Sequence, residues 1–338
     1  MKKLLAVCAA VWAAAFLLPA LLTSAEAAPQ ASAEPPVSLV SVTPAPTPEP
    51  TATVTPVPRL RDADTSLTVS VSGASRTMTL DEYLLGVLCA EMPALYPEEA
   101  LKAQAVAART YYAYRRAGKA DYGGADMSDD SSVCMAWREP ASMAASWGSE
   151  TDAYTARVRE AVSSTDGIIM TDSEGAPIPA VFFAISSGKT EAAEDIWGSP
   201  NPHLLSRDSS WDASSPGYET TVDLTLAEFR SRITSAHPQA VFSGGSTFRN
   251  VRRSSAGAVL SAEVGGVTLT GAELRSLLGL RSANFTASLS NGVYTFCTKG
   301  YGHGVGMSQY GARELANTGK SYGEILEAYY TDFTLSHL

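Results

Sequence analysis

Residues 82–116 read EYLLGVLCAEMPALYPEEALKAQAVAARTYYAYRR, and their punctuation predicts two consecutive helices. Thr79-Leu80-Asp81-Glu82 forms a capping box at the start of the first, which Pro93 closes just after Glu91. The second opens on Pro97 with Glu98 and Glu99 in its first turn, and ends with Arg115 and Arg116, the charge order a helix dipole favours. Along it, Ala100, Ala103, Ala105, Ala107 and Ala108 are small enough for a helix or sheet to approach closely. On the first helix Leu84, Val87, Leu88 and Glu91 share a face, so a carboxylate ends an apolar stripe. Lost hydration there favours the protonated form and makes Glu91 a candidate proton donor near neutral pH. The plainer alternative is a helix-end glutamate turned to water, and residue physics alone leaves both open.

Outward from this pair, LTVSVSG and RTMTL alternate as a hairpin just upstream. Downstream come an irregular stretch around DYGGADMSDDSSVCMAW and a helix near Tyr154–Ser163. IIMTDSEGAPIPAVFFAISSGKT then reads as two strands joined by a glycine-containing turn. Beyond them LAEFRSRI and GAELRSLLGL are helical and VYTFCTK is a strand. The glycine-rich GYGHGVG follows, and two helices, MSQYGARELANTG and SYGEILEAYY, finish the chain. Helices and strands are mixed without regular alternation and without repeats, which predicts an α+β fold in one large domain over 66–338.

Of the 338 residues, 45% are hydrophobic, enough for a sizeable core. Residues 1–28 begin with Lys2 and Lys3 and run apolar from Leu4 to Leu22, an export segment about long enough to span a bilayer. Ala25-Glu26-Ala27 offers a cleavage site, so the segment is either a retained membrane anchor, slightly favoured, or a removed signal peptide. Residues 29–65 are rich in Pro, Ala, Thr and Ser and read as a disordered linker reaching on the order of 100 Å. Both features place the folded part outside the cytoplasm. Cys8 belongs to the apolar segment, and Cys89, Cys134 and Cys297 are too few for a disulfide framework. A net charge of −10 excludes nucleic acid as a partner class.

Two further stretches carry chemistry. GYGHGVGMSQYGA, residues 300–312, holds more glycines than a strand-to-helix connection needs, and fits neither nucleotide-loop pattern. His303, flanked by glycines, is expected in a cleft with Tyr301 and Gln309 beside it, and a structural loop is the competing reading. In AVFFAISSGKTE, Ser186 to Lys189 fits the S-x-x-K pattern of serine acyltransferases without its companion motifs. A polar turn leaving a buried strand fits better. Cys134, Asp129, Asp130 and His303 lack the spacing of a metal site, so no metal or other cofactor is expected.

The block at 82–112, FFAISSGKTEAAEDIWG, NPHLLSRDSSWD, LRSLLGLRSANF and GYGHGVGMSQYGA together resemble successive blocks of the stage II sporulation protein D family, which includes amidase enhancers. The resemblance spans residues 66 to 332. It implies a peptidoglycan lytic transglycosylase acting on glycan strands already stripped of stem peptides by a partner amidase, within a membrane complex that drives engulfment during sporulation. The glutamate of the family's E-M-P block, its catalytic acid, falls on Glu91. By the same resemblance Arg109 would meet the lactyl carboxylate of a stripped strand, while Ser187, Lys189, Thr190, Tyr301, His303 and Gln309 would bind sugar hydroxyls and N-acetyl groups. Some relatives carry extra Cys or His residues around the position of Cys134. Here SDDSSV precedes it, and metal binding is not carried over. The alternatives are a non-catalytic wall-binding module that enhances an amidase and a serine acyltransferase acting through Ser186.

Overall fold

The expected hairpin forms from β1 (Ser66–Val71) and β2 (Ala74–Thr79), antiparallel from Ser66 opposite Thr79 to Val71 opposite Ala74. That register leaves Ser72 and Gly73 as a two-residue turn, both at positive φ, whose twist matches that of the strands. The computed structural model describes residues 60–242 and 247–338. The export segment and the linker up to residue 59 lie outside the described residues.

Strand β2 runs directly into α1 (Leu80–Glu91), where the backbone N–H of Thr79 donates to Glu82. Then come α2 (Glu98–Ala117), β3 (Met127–Ser128), α3 (Ala144–Trp147), α4 (Thr151–Ser163), β4 (Ile168–Thr171), β5 (Phe182–Phe183) and α5 (Ala193–Trp197). A second run holds β6 (Glu219–Thr225), α6 (Leu226–Ala236), β7 (Phe248–Arg253), β8 (Val259–Val264), β9 (Val267–Thr270), α7 (Gly271–Leu278), β10 (Phe285–Ser290) and β11 (Val293–Lys299). The chain closes with β12 (Met307–Ser308), α8 (Gln309–Asn317), α9 (Tyr322–Tyr329) and β13 (Thr334–His337). The mixed α+β class is as expected. Between β4 and β5 the predicted pair of strands is shorter than its apolar run, because Pro177 and Pro179 cannot donate to a ladder.

Helix α2 organises the body. One side of it packs Leu101, Val106 and Ala107 against Met307, Leu326, Tyr329 and Tyr330, and the other packs Ala105, Ala108 and Tyr112 against β1 and α1. A third core, around Phe229, Leu274 and Phe296, lies wholly within residues 219–299, which form a lobe inserted in the body. The lobe leaves and returns on adjacent antiparallel strands, Glu219 of β6 pairing with Lys299 of β11. It touches the body where the Ala258 N–H donates to Glu191 and where Gly302 donates to the Arg281 carbonyl.

The ordered body reaches back past residue 66. Asp62–Asp64 forms a 3-10 turn, and the buried Asp62 accepts from Arg109 Nε at 2.8 Å and from Nη2 at 2.5 Å. Arg109 spends its remaining donors on Thr165 and on the carbonyls of Val162 and Ile168. One buried ion pair therefore ties the start of the body to α2, α4 and β4.

Candidate active site

Glu91 ends α1 half-buried, as the apolar stripe beneath it requires. Its carboxyl is held by two neutral donors: the Ala136 N–H at 2.8 Å on Oε1 and Gln309 Nε2 at 3.2 Å on Oε2. Burial raises its pKa above the usual range, and the two hydrogen bonds offset only part of that rise. No charged group contributes to the shift, so the carboxyl is poised by desolvation alone. A helix-end glutamate turned to water is therefore not what the fold builds.

Each donor is fixed from behind. Gln309 is the first residue of α8, whose N-cap Ser308 accepts from the Gly311 N–H at 3.1 Å. The Ser308 hydroxyl in turn donates to buried Asp212 at 2.6 Å, and Asp212 also accepts from Ser209 and from the Ser186 N–H. Burial raises the Asp212 pKa to about 6 against these three donors. Gly311 is obligatory, since a Cβ there would overlap the Tyr329 hydroxyl and the Asp212 carboxyl. On the other side, Ala136 precedes Trp137, whose indole packs closely against Gly86 of α1, while Arg138 N–H donates to the Gly86 carbonyl.

Gly86→Ala tests that seat. Its methyl group would overlap the Trp137 indole, so the loop carrying the Ala136 N–H must move. We expect a loss of about 1–3 kcal/mol in chemical denaturation, the usual range for overpacking. Activity should fall further than that stability loss accounts for, because Glu91 loses a donor.

The glycine-rich loop packs backbone against backbone. A Cβ at Gly300 or Gly306 would strike the chain near Ile185 or Val181, and both glycines have positive φ. His303 Nδ1 accepts from the Val305 N–H, so Nε2 carries the proton and donates to the Phe182 carbonyl at 3.1 Å. Burial pushes its pKa down to about 4, and Arg275 adds to the depression. The neutral ring lies between Phe183 and Trp197, with centroids 5.6 and 5.4 Å away, and faces a cleft. Tyr301 is 43% exposed, with the Arg281 guanidinium 4.2 Å above its ring.

Of the residues expected to bind substrate, only Gln309 touches Glu91. Two expectations need correction. Arg109 is fully buried with every donor engaged, so it holds the fold together and presents nothing to a glycan. Thr190 is also fully buried, its hydroxyl accepting from the Arg207 N–H at 2.8 Å. Ser187 is half-buried and its carbonyl accepts from the Tyr218 hydroxyl, while Lys189 is exposed on the same turn. Ser186 is 1% exposed, lies outside any helix and accepts from the Gly188 N–H, which removes the acyltransferase geometry. Cys134 Sγ lies 4.0 Å from the Tyr83 hydroxyl.

The family description "Stage II sporulation protein" matches residues 70–171, the segment carrying Glu91 and Ala136. A "Stage II sporulation protein D" of Bacillus subtilis (strain 168) is 38% identical over 262 residues, 76% of this chain and 74% of that protein. The chain belongs to the stage II sporulation protein D family. A protein of the same name from Bacillus amyloliquefaciens is 37% identical over the same shares. An "Amidase enhancer" of Bacillus subtilis is 28% identical over 75% of this chain and 40% of its own length. Within this family member, sequence reasoning missed the Ala136 N–H, Asp212 and Gly86. A backbone donor leaves no residue-type signal, but the quoted block ending SSWD already contained Asp212.

Proposed function

We propose that the protein is a peptidoglycan lytic transglycosylase that cleaves glycan strands lacking stem peptides. The observation that carries this is the Glu91 carboxyl, raised in pKa by burial and flanked by two uncharged donors. A protonated Glu91 gives its proton to the oxygen joining N-acetylmuramic acid to N-acetylglucosamine as that bond breaks. The Ala136 N–H and Gln309 then stabilise the carboxylate left behind. That carboxylate accepts the proton of the muramic C6 hydroxyl as its oxygen bonds to C1, closing a 1,6-anhydro ring. The proton lost is thus regained and no water is consumed. Hydrolytic glycosidases ordinarily use two carboxylates, and no second carboxylate acts on Glu91 among the described residues.

A relative named as an amidase enhancer favours a second reading, a wall-binding module that aids an amidase without cutting glycan. Under either reading the protein works outside the cytoplasm beside an amidase, with the engulfment machinery as the proposed membrane complex. Mass spectrometry of products from peptide-free glycan strands separates them. Anhydro-muramyl ends support the transglycosylase; reducing ends would indicate a hydrolase; tight binding without cleavage would leave the module.

A further inference from the structure

A cleft of about 570 Å³ opens between the lobe and the body, within the size range of ligand sites. Glu194 and Asp195 of α5 and His303 line it from the body, and Arg252, Ser261 and Arg275 line it from the lobe. Half-buried on α7, Arg275 has a guanidinium with no hydrogen bond or ion pair among the described residues, and burial works against its charge. The exposed Arg252 side chain, which lines the same cleft, likewise has no hydrogen bond or ion pair among the described residues. A desolvated guanidinium without a carboxylate presents a rigid fork suited to bidentate capture of an anion.

We propose that Arg275 receives the lactyl carboxylate of a peptide-free muramic acid residue in this cleft. The proposal rests on the transglycosylase reading and deepens it. When a stem peptide is attached, the lactyl carboxyl is an amide and carries no charge; once the peptide is removed, it is an anion. Arg275 therefore reads whether an amidase has already acted. His303, held neutral, contributes shape without charge, and the Trp197 indole, tilted 48° to its ring, is 49% exposed and offers an apolar face to a pyranose ring. A short run of backbone and side-chain contacts links the cleft wall to Glu91. His303 donates to the Phe182 carbonyl, Phe182 pairs with Met307, and Gln309 two residues on holds Glu91.

The test is binding in the full-length Glu91→Gln protein, which removes cleavage from the readout. Two probes are compared: peptide-free glycan strands, and the same strands with lactyl carboxyls converted to methylamides. The acid form should bind about tenfold more tightly, the factor equivalent to about 1.4 kcal/mol. Arg275→Gln should abolish that difference by weakening the acid form alone, with unchanged affinity for the amide form showing that the fold is intact. Equal binding of both forms, or discrimination that survives Arg275→Gln, overturns the proposal. So does Arg275-dependent binding of poly(glycerol phosphate) tighter than that of the acid glycan. Anhydro products from the wild type together with equal binding would sink only this inference, whereas absence of both binding and products would sink the transglycosylase reading with it.

Discussion

Glu91→Gln is expected to lower the rate of glycan cleavage by on the order of 10³-fold or more, since the proposed mechanism uses one group as both acid and base. The loss should be purely chemical. Glutamine can still accept from the Ala136 N–H, and the Gln309 amide can turn over to meet the new amide nitrogen. Thermal unfolding should then show a variant at least as stable as the wild type near neutral pH, because no carboxylate remains to be desolvated. The pH dependence follows from the direction of the shift. The folded carboxyl holds its proton more tightly than the unfolded one, whose value lies near 4.5. Glu91 therefore contributes stability below that value, and the contribution is lost as pH rises through the raised folded pKa. Cleavage should fall over the same upper limb, tenfold per pH unit, as the proton donor is titrated. A variant that still forms anhydro ends at a near wild-type rate would remove Glu91 from the mechanism.

Asp62→Ala is expected to cost about 3–5 kcal/mol, because it leaves the Arg109 guanidinium charged, buried and short of its carboxylate. Replacing both partners, Asp62→Leu with Arg109→Leu, should cost much less, since an apolar pair needs no compensation. Denaturant midpoints of the two variants decide the matter. Equal losses would mean that Arg109 finds other partners in the single mutant. The same ion pair dictates how the domain should be cut: a protein starting at residue 66 lacks Asp62 and should unfold as readily as Asp62→Ala.

The two central helices were legible because proline, capping box and terminal charge act locally, and the structure ends α1 at Glu91 as the spacing requires. The position of Glu91 on the buried stripe was legible for the same reason. Arg109 was misread because nothing near it in the chain discloses its partner, which lies 47 residues earlier in a segment that reads as linker. Thr190 failed similarly: the turn around it reads as polar, but burial of its hydroxyl depends on Arg207. Gln309 was expected to bind sugar, and its hydrogen bond to Glu91 is a contact across 218 residues that no local pattern carries. Tertiary pairing decides such roles, and residue type alone does not.

The adjacent β6 and β11 also bear on how quickly the site can assemble. Pairing β5 with β12 requires closing roughly 120 residues of chain. If the lobe first zips Glu219 to Lys299, its 81 residues act as one link and the loop shrinks to about 45. At (3/2)RT ln n, that shortcut is worth about 1 kcal/mol of closure entropy, a several-fold gain in the rate of finding the pair. That shortcut favours a route in which the lobe closes first, β5 then meets β12, and Gln309, two residues beyond Met307, reaches Glu91. On that route the Glu91 carboxyl receives its Gln309 donor late, after both walls of the cleft are in place.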